Sequence, residues 1–126
     1  MKALHRKRLW WTVGCLLGTF IVVSALAPAR DLPNLWLSDK VEHALAFMGL
    51  ALWFAGLMER RSYPLLALAL LALGGGIELA QGAMGLGRTA DWHDWYADLV
   101  GTGAGLALGL IGLGAWTAKF EAWFGL

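Results

Sequence analysis

The stretch LSDKVEHALAFMGLALWFAGLM (37–58) changes character within a few residues: Asp39, Lys40, Glu42 and His43 give way to almost unbroken hydrocarbon. A helix crosses a hydrocarbon core of ~30 Å with about 20 apolar residues, at ~1.5 Å of rise each. The stretch is long enough to do so. Charge at the mouth of such a span is costly unless it is paired or hydrated. The four ionisable side chains therefore demand partners elsewhere in the chain.

Working outward, three more apolar stretches have similar length, and spans are predicted at 9–27, 40–58, 64–84 and 96–117. Of the 126 residues, 59% are hydrophobic and 15% charged, well below the roughly 25% charged residues of soluble domains. Nothing remains from which to build a soluble domain. The expected fold is all-α, an integral membrane four-helix bundle, with one domain over 1–126. Lys2, Arg6, Lys7 and Arg8 precede the first span, Arg60 and Arg61 separate the second and third, and Lys119 follows the fourth. Only Arg30, Lys40 and Arg88 fall on the other side. The positive-inside rule then places both termini in the cytoplasm, in a multi-pass protein of the cytoplasmic (inner) membrane. The outer loops cover 28–39 and 85–95.

Ala25-Leu26-Ala27 resembles a signal-peptide cleavage site, but Pro28 directly after it disfavours cleavage, so the first helix is expected to be retained. The single cysteine, Cys15, excludes an intramolecular disulfide and reads as a small packing residue. Trp10 and Trp11 on the inner side, and Trp92, Trp95 and Tyr96 on the outer, read as interfacial belts. No repeat and no basic cluster with interleaved aromatics is present, which argues against nucleic acid as a partner.

The polar residues inside the spans fall at one depth. In this topology His43 lies about 5 Å below the start of the second helix and Glu78 roughly 9 Å below the end of the third, with Asp98 at a similar level in the fourth. Asp39, His43 and Phe47 follow at i, i+4 and i+8 and share a face; Glu78 and Gln81 do the same at i, i+3. Asp94, Asp98, Gly101 and Gly105 follow at i, i+4, i+7 and i+11, and Gly109 continues the ridge. Glycines at that spacing let helices approach closely in lipid, so the acidic face points into the bundle. The expected site is an outward-facing polar pocket of Asp39, Lys40, His43, Glu78, Gln81, Arg88, Asp94 and Asp98.

Each residue has a plain use and a chemical one. His43 serves as a hydrogen-bonded structural group, as a general acid or base, or as a ligand through its neutral imidazole. Glu78 must be protonated or paired at its depth, whereas Gln81, whose amide donates and accepts, suits tying helices together. Arg88 is a loop-solvated arginine or a fork for phosphate or carboxylate. His43 with Glu78, Asp94 and Asp98 has the ligand types for zinc, manganese or iron. No HExxH or paired-cysteine spacing accompanies them, so no metal is assigned; no cofactor fingerprint is present either.

DKVEHALAF (Asp39, Lys40, His43, Phe47), ELAQ (Glu78, Gln81), Arg88 and DWYADLVGTGAG (Asp94, Asp98, Gly101, Gly105) together resemble the VanZ-like family of small membrane proteins, a family associated with resistance to the glycopeptide teicoplanin. The resemblance covers roughly 39–109. Asp98 departs from it, standing where many relatives are expected to carry asparagine. What the resemblance implies is an envelope-associated protein. Two functions follow as alternatives. One is a non-enzymatic protein whose pocket binds an envelope lipid, a peptidoglycan precursor or a glycopeptide. The other is a small membrane enzyme acting on a lipid-linked substrate, with His43 as acid or base, Glu78 or Asp94 as its partner and Arg88 holding an anionic group. The expected partners are membrane lipids and an anionic envelope ligand. Ion conduction would require oligomers, since four short helices enclose little.

Overall fold

In an apolar solvent the backbone must satisfy its own hydrogen bonds, and a chain of Leu, Ala and Gly does so as helix. The computed structural model describes residues 5–26, 39–84 and 92–125. These form five α-helices: α1 (Lys7–Leu26), α2 (Asp39–Ala55), α3 (Tyr63–Met84), α4 (Trp92–Leu110) and α5 (Trp116–Phe124). Short 3-10 turns cover Arg60–Ser62 and Leu113–Ala115. Two helical segments, Lys7–Leu26 and Arg60–Met84, are long and apolar enough to cross a membrane. Trp92–Leu110 with Leu113–Phe124 makes a third if that bent pair is one span. Leu16, Phe20, Leu65, Leu68, Val100 and Ile111 are each more than 60% exposed, an apolar surface that suits lipid contact.

α2 is the central helix. Phe47, Leu50, Ala51 and Ala55 are almost wholly buried, and Phe47, Leu50 and Ala51 form a core with Leu66, Leu70 and Ile77 of α3. The glycine ridge of α4 lies directly on α2. A Cβ added at Gly101 would collide with the backbone of Ala44, one at Gly105 would fall 2.6 Å from the Met48 carbonyl oxygen and 2.7 Å from Ala51 Cβ, and one at Gly109 would fall 3.2 Å from Ala55 Cβ. Without side chains on that ridge the two backbones touch, as small residues allow in membranes.

Where the helices end differs from expectation. The second helix stops at Ala55 and not at 58. Side chains reach the carbonyls at this end: Leu52 O accepts from Trp116 Nε1 (2.8 Å) as well as from the Gly56 N–H (3.2 Å), Ala55 O from Tyr63 Oη (3.2 Å), and Gly56 O, just past the helix, from Thr117 Oγ1. The fourth span, expected as one helix over 96–117, starts at Trp92 and ends at Leu110. Gly112 adopts φ 132°, a conformation open to glycine and strained for other residues. The chain there bends by 81° into α5. Arg60 Nη2 donates to Leu110 O (3.0 Å) at this break.

Three readings of single residues are corrected. Trp10 is 6% exposed, a core residue among Trp53, Trp116 and Phe120 and not a belt anchor. Trp95 donates Nε1–H to the Leu71 carbonyl of α3 (2.9 Å), so it joins helices, whereas Trp92 and Tyr96 are exposed. Cys15 is exposed; the small packing residue is its neighbour Gly14, seated against Trp53 and Phe54.

Candidate functional site

α2, α3 and α4 deliver the ionisable residues to one place. Glu78 and Asp98 are 0% exposed and Asp94 5%. The His43 side chain is 9% exposed, whereas Lys40 is half exposed and marks where the cluster meets the surface. The register set by the glycine ridge is what brings them together: Gly101 against Ala44 sets Asp98, one turn earlier on α4, beside His43. Gly74 of α3 completes the fit. A Cβ there would lie 2.6 Å from Asp98 Oδ2, so only glycine leaves room for that carboxylate.

His43 Nδ1 lies 2.9 Å from Asp98 Oδ1. When Asp98 is ionised its carboxylate can only accept, and the proton then sits on Nδ1 with Nε2 on the opposite side of the ring. Nε2 is 3.9 Å from Asp94 Oδ2, beyond hydrogen-bond length. The other oxygen of Asp94, Oδ1, accepts from Lys40 Nζ at 3.2 Å. One ligating atom from each of His43, Glu78 and Asp94 lies within 4.8 Å of the others. An imidazole set against one buried carboxylate, with an oxygen of Glu78 and of Asp94 within 4.8 Å of a ring nitrogen, has the groups to pass a proton or to hold a cation.

Of the residues expected in the pocket, Lys40, His43, Glu78, Asp94 and Asp98 are brought together. Gln81 is buried as well, but its Nε2 donates to Ala25 O at the end of α1 (2.7 Å), which ties α3 to α1. Arg88 and the side chain of Asp39 lie outside the described residues. His93 is exposed.

One polar residue that the sequence reading left out is buried at the opposite end. Glu121 of α5 accepts from the backbone N–H of His5 (2.9 Å) and Arg6 (2.8 Å) and from Trp10 Nε1 (2.8 Å). It serves the donors ahead of α1 as a capping carboxylate from another helix. Burial acts to raise the Glu121 carboxyl, but these three donors reverse the shift and hold it below the usual carboxylate range. The available signal was Thr117 and Glu121 at i, i+4, one polar pair on a short aromatic helix.

The class defined by this fold is an all-α chain with two or three membrane-length helices and a buried histidine–carboxylate cluster between α2, α3 and α4. No family model, curated protein or solved structure matches the chain.

Proposed function

We propose that the chain is a VanZ-like, multi-pass protein of the cytoplasmic membrane, a four-helix bundle with both termini inside, whose polar cluster opens outward and binds an anionic ligand of the envelope. The convergence of Lys40, His43, Glu78, Asp94 and Asp98 from three helices carries this reading. Ionisable groups inside a membrane are expensive and mark functional sites. Lys40, at the exposed edge of the cluster, supplies positive charge for a phosphate or carboxylate, and Arg88 falls by sequence in the other expected outer loop, 85–95. The candidate ligands are a lipid headgroup, a peptidoglycan precursor or a glycopeptide such as teicoplanin; the VanZ-like motifs support the last two.

A second reading is favoured by the 2.9 Å contact between His43 and Asp98. That orientation suits general acid–base catalysis on a lipid-linked substrate, with Nε2 moving the proton. The experiment compares envelope lipids, precursors and glycopeptide sensitivity in cells carrying wild type, His43→Ala, Glu78→Ala, Arg88→Ala, Asp94→Ala or Glu42→Ala. Each of the first four variants abolishes the cellular phenotype with insertion intact, and Glu42→Ala is nearly silent. General acid–base chemistry additionally requires a fall of about 10² or more in turnover for His43→Ala. Full function in the His43→Ala/Glu78→Ala double variant refutes both readings.

A further inference from the structure

We propose that His43 Nε2, Glu78 and Asp94 form a binding site for a divalent transition-metal cation, with Asp98 as the residue that orients the histidine. The proposal concerns the same cluster as the ligand-binding reading but does not depend on which envelope ligand, if any, is bound.

The first argument is geometric. Nε2 of His43 and Oδ2 of Asp94 are 3.9 Å apart, too far for a direct hydrogen bond. Two ligands each about 2.0–2.2 Å from one cation lie roughly 3.4 Å apart in a tetrahedron and somewhat over 4 Å apart when opposed. The observed gap falls between those limits. With a Glu78 oxygen included, one ligating atom from each of the three residues lies within 4.8 Å of the others, so closing the set to a tetrahedron takes side-chain shifts of about 1.4 Å at most.

The second argument is the partner on the far side of the ring. Histidines that ligate metals nearly always donate their other N–H to a carboxylate or carbonyl, which fixes the tautomer and raises ligand basicity. Asp98, fully buried and 2.9 Å from Nδ1, stands in that position. Gly74 gives the Asp98 carboxylate its space. Asp94 likewise divides its work: Oδ1 takes Lys40 and Oδ2 faces the imidazole. Three elements therefore hold the ligands in place before any ion arrives.

The third argument is chemical type. One imidazole and two carboxylates, without a thiolate, suit zinc, manganese or iron and disfavour soft ions. Three protein ligands leave positions for water or for an anionic group. The half-exposed Lys40 side of the cluster is the approach from outside.

The test uses the full chain purified in detergent without a polyhistidine tag, dialysed against zinc or manganese, and assayed for bound metal by mass spectrometry. The expected result is about one ion per chain for wild type. His43→Ala and Asp94→Asn reduce occupancy at least tenfold, Asp98→Asn weakens affinity by about 10- to 100-fold as an orienting residue does, and His93→Ala and Glu42→Gln match wild type. X-ray absorption on the loaded wild-type protein reads the ligands without relying on any variant's folding: one imidazole with oxygen neighbours is expected. Wild type that retains no metal, an all-oxygen shell, or unchanged occupancy in His43→Ala overturns the proposal.

Discussion

Replacing Gly101 with alanine adds one methyl group to α4, and the structure places it where α2 cannot give way. The new Cβ would collide with Ala44 O and lie 2.8 Å from Ala44 C and 2.9 Å from Ala44 Cα. These are backbone atoms, so no side-chain rotation relieves the overlap. Carbon atoms in contact sit about 3.5–4.0 Å apart, so the helices must separate by on the order of 1 Å. Overpacking of a fitted interface costs about 1–3 kcal/mol, and the upper part of that range is expected here. Gly103, on the same helix, meets nothing within 4 Å of an added Cβ. Any gain in helix propensity from glycine to alanine, up to about 1 kcal/mol, applies at both positions and cancels in the comparison. Unfolding in detergent followed by tryptophan fluorescence should therefore show Gly101→Ala less stable than Gly103→Ala by about 2–3 kcal/mol. Because Ala44 adjoins His43, and Asp98 lies one turn before Gly101, the separation also lengthens the His43–Asp98 contact and shifts the imidazole nitrogen resonances. Equal stability of the two variants would mean that α2 and α4 do not pack through this ridge.

Glu121→Gln should lower the melting temperature at neutral pH by weakening the contacts to His5, Arg6 and Trp10. Since the folded Glu121 carboxyl is held low, its stabilisation is present above the unfolded value of about 4.3 and is lost as pH falls through the lower folded value. The gap between wild type and variant should thus close on acidification below about pH 4, and a gap that stays constant refutes the capping role. For topology, cysteines at Asn34 or Gly87 in a Cys15→Ala background should react with impermeant thiol reagents in spheroplasts, and a cysteine at Ser62 should not. The reverse pattern inverts the proposed orientation.

The inward direction of Asp94, Asp98 and the glycine ridge was legible because helical spacing turns a sequence into faces, and those residues are buried in the structure. The same spacing linked Glu78 with Gln81, yet their polar ends do different work, Gln81 reaching Ala25 of α1. Spacing gives a face; it does not say which neighbour lies opposite. The 81° break after α4 was missed because hydropathy continues through LGLIGLGAW without a polar interruption. Only the backbone freedom of Gly112 distinguishes a turn from one more helical residue there. Trp10 and Glu121 were missed for a related reason. Tryptophan near a span end has two uses, interfacial anchor and buried donor, and what decides between them is a carboxylate more than a hundred residues away.

That contact and the site share one constraint, which is why packing and chemistry in this chain are hard to separate. A carboxylate at membrane depth is tolerable only when partners surround it closely. Asp98 meets this requirement through residues chosen for lack of bulk: Gly74 beneath its Oδ2, and Gly101 letting α4 settle on α2 until His43 comes within 2.9 Å. Moving α4 along α2 by a single residue would rotate Asp98 by roughly 100° away from the imidazole and would seat side chains where glycines now meet backbone. The ridge therefore acts as a register device. It makes the close approach possible at one alignment only, and at that alignment Asp94 and Asp98 both face His43. At the other end, Trp116, Thr117 and Glu121 hold the ends of α2 and α1 from a helix that has turned out of line. A register fixed at both ends leaves the histidine–carboxylate cluster little freedom to disperse, and the proposed ligand or metal binding would then need only side-chain adjustment.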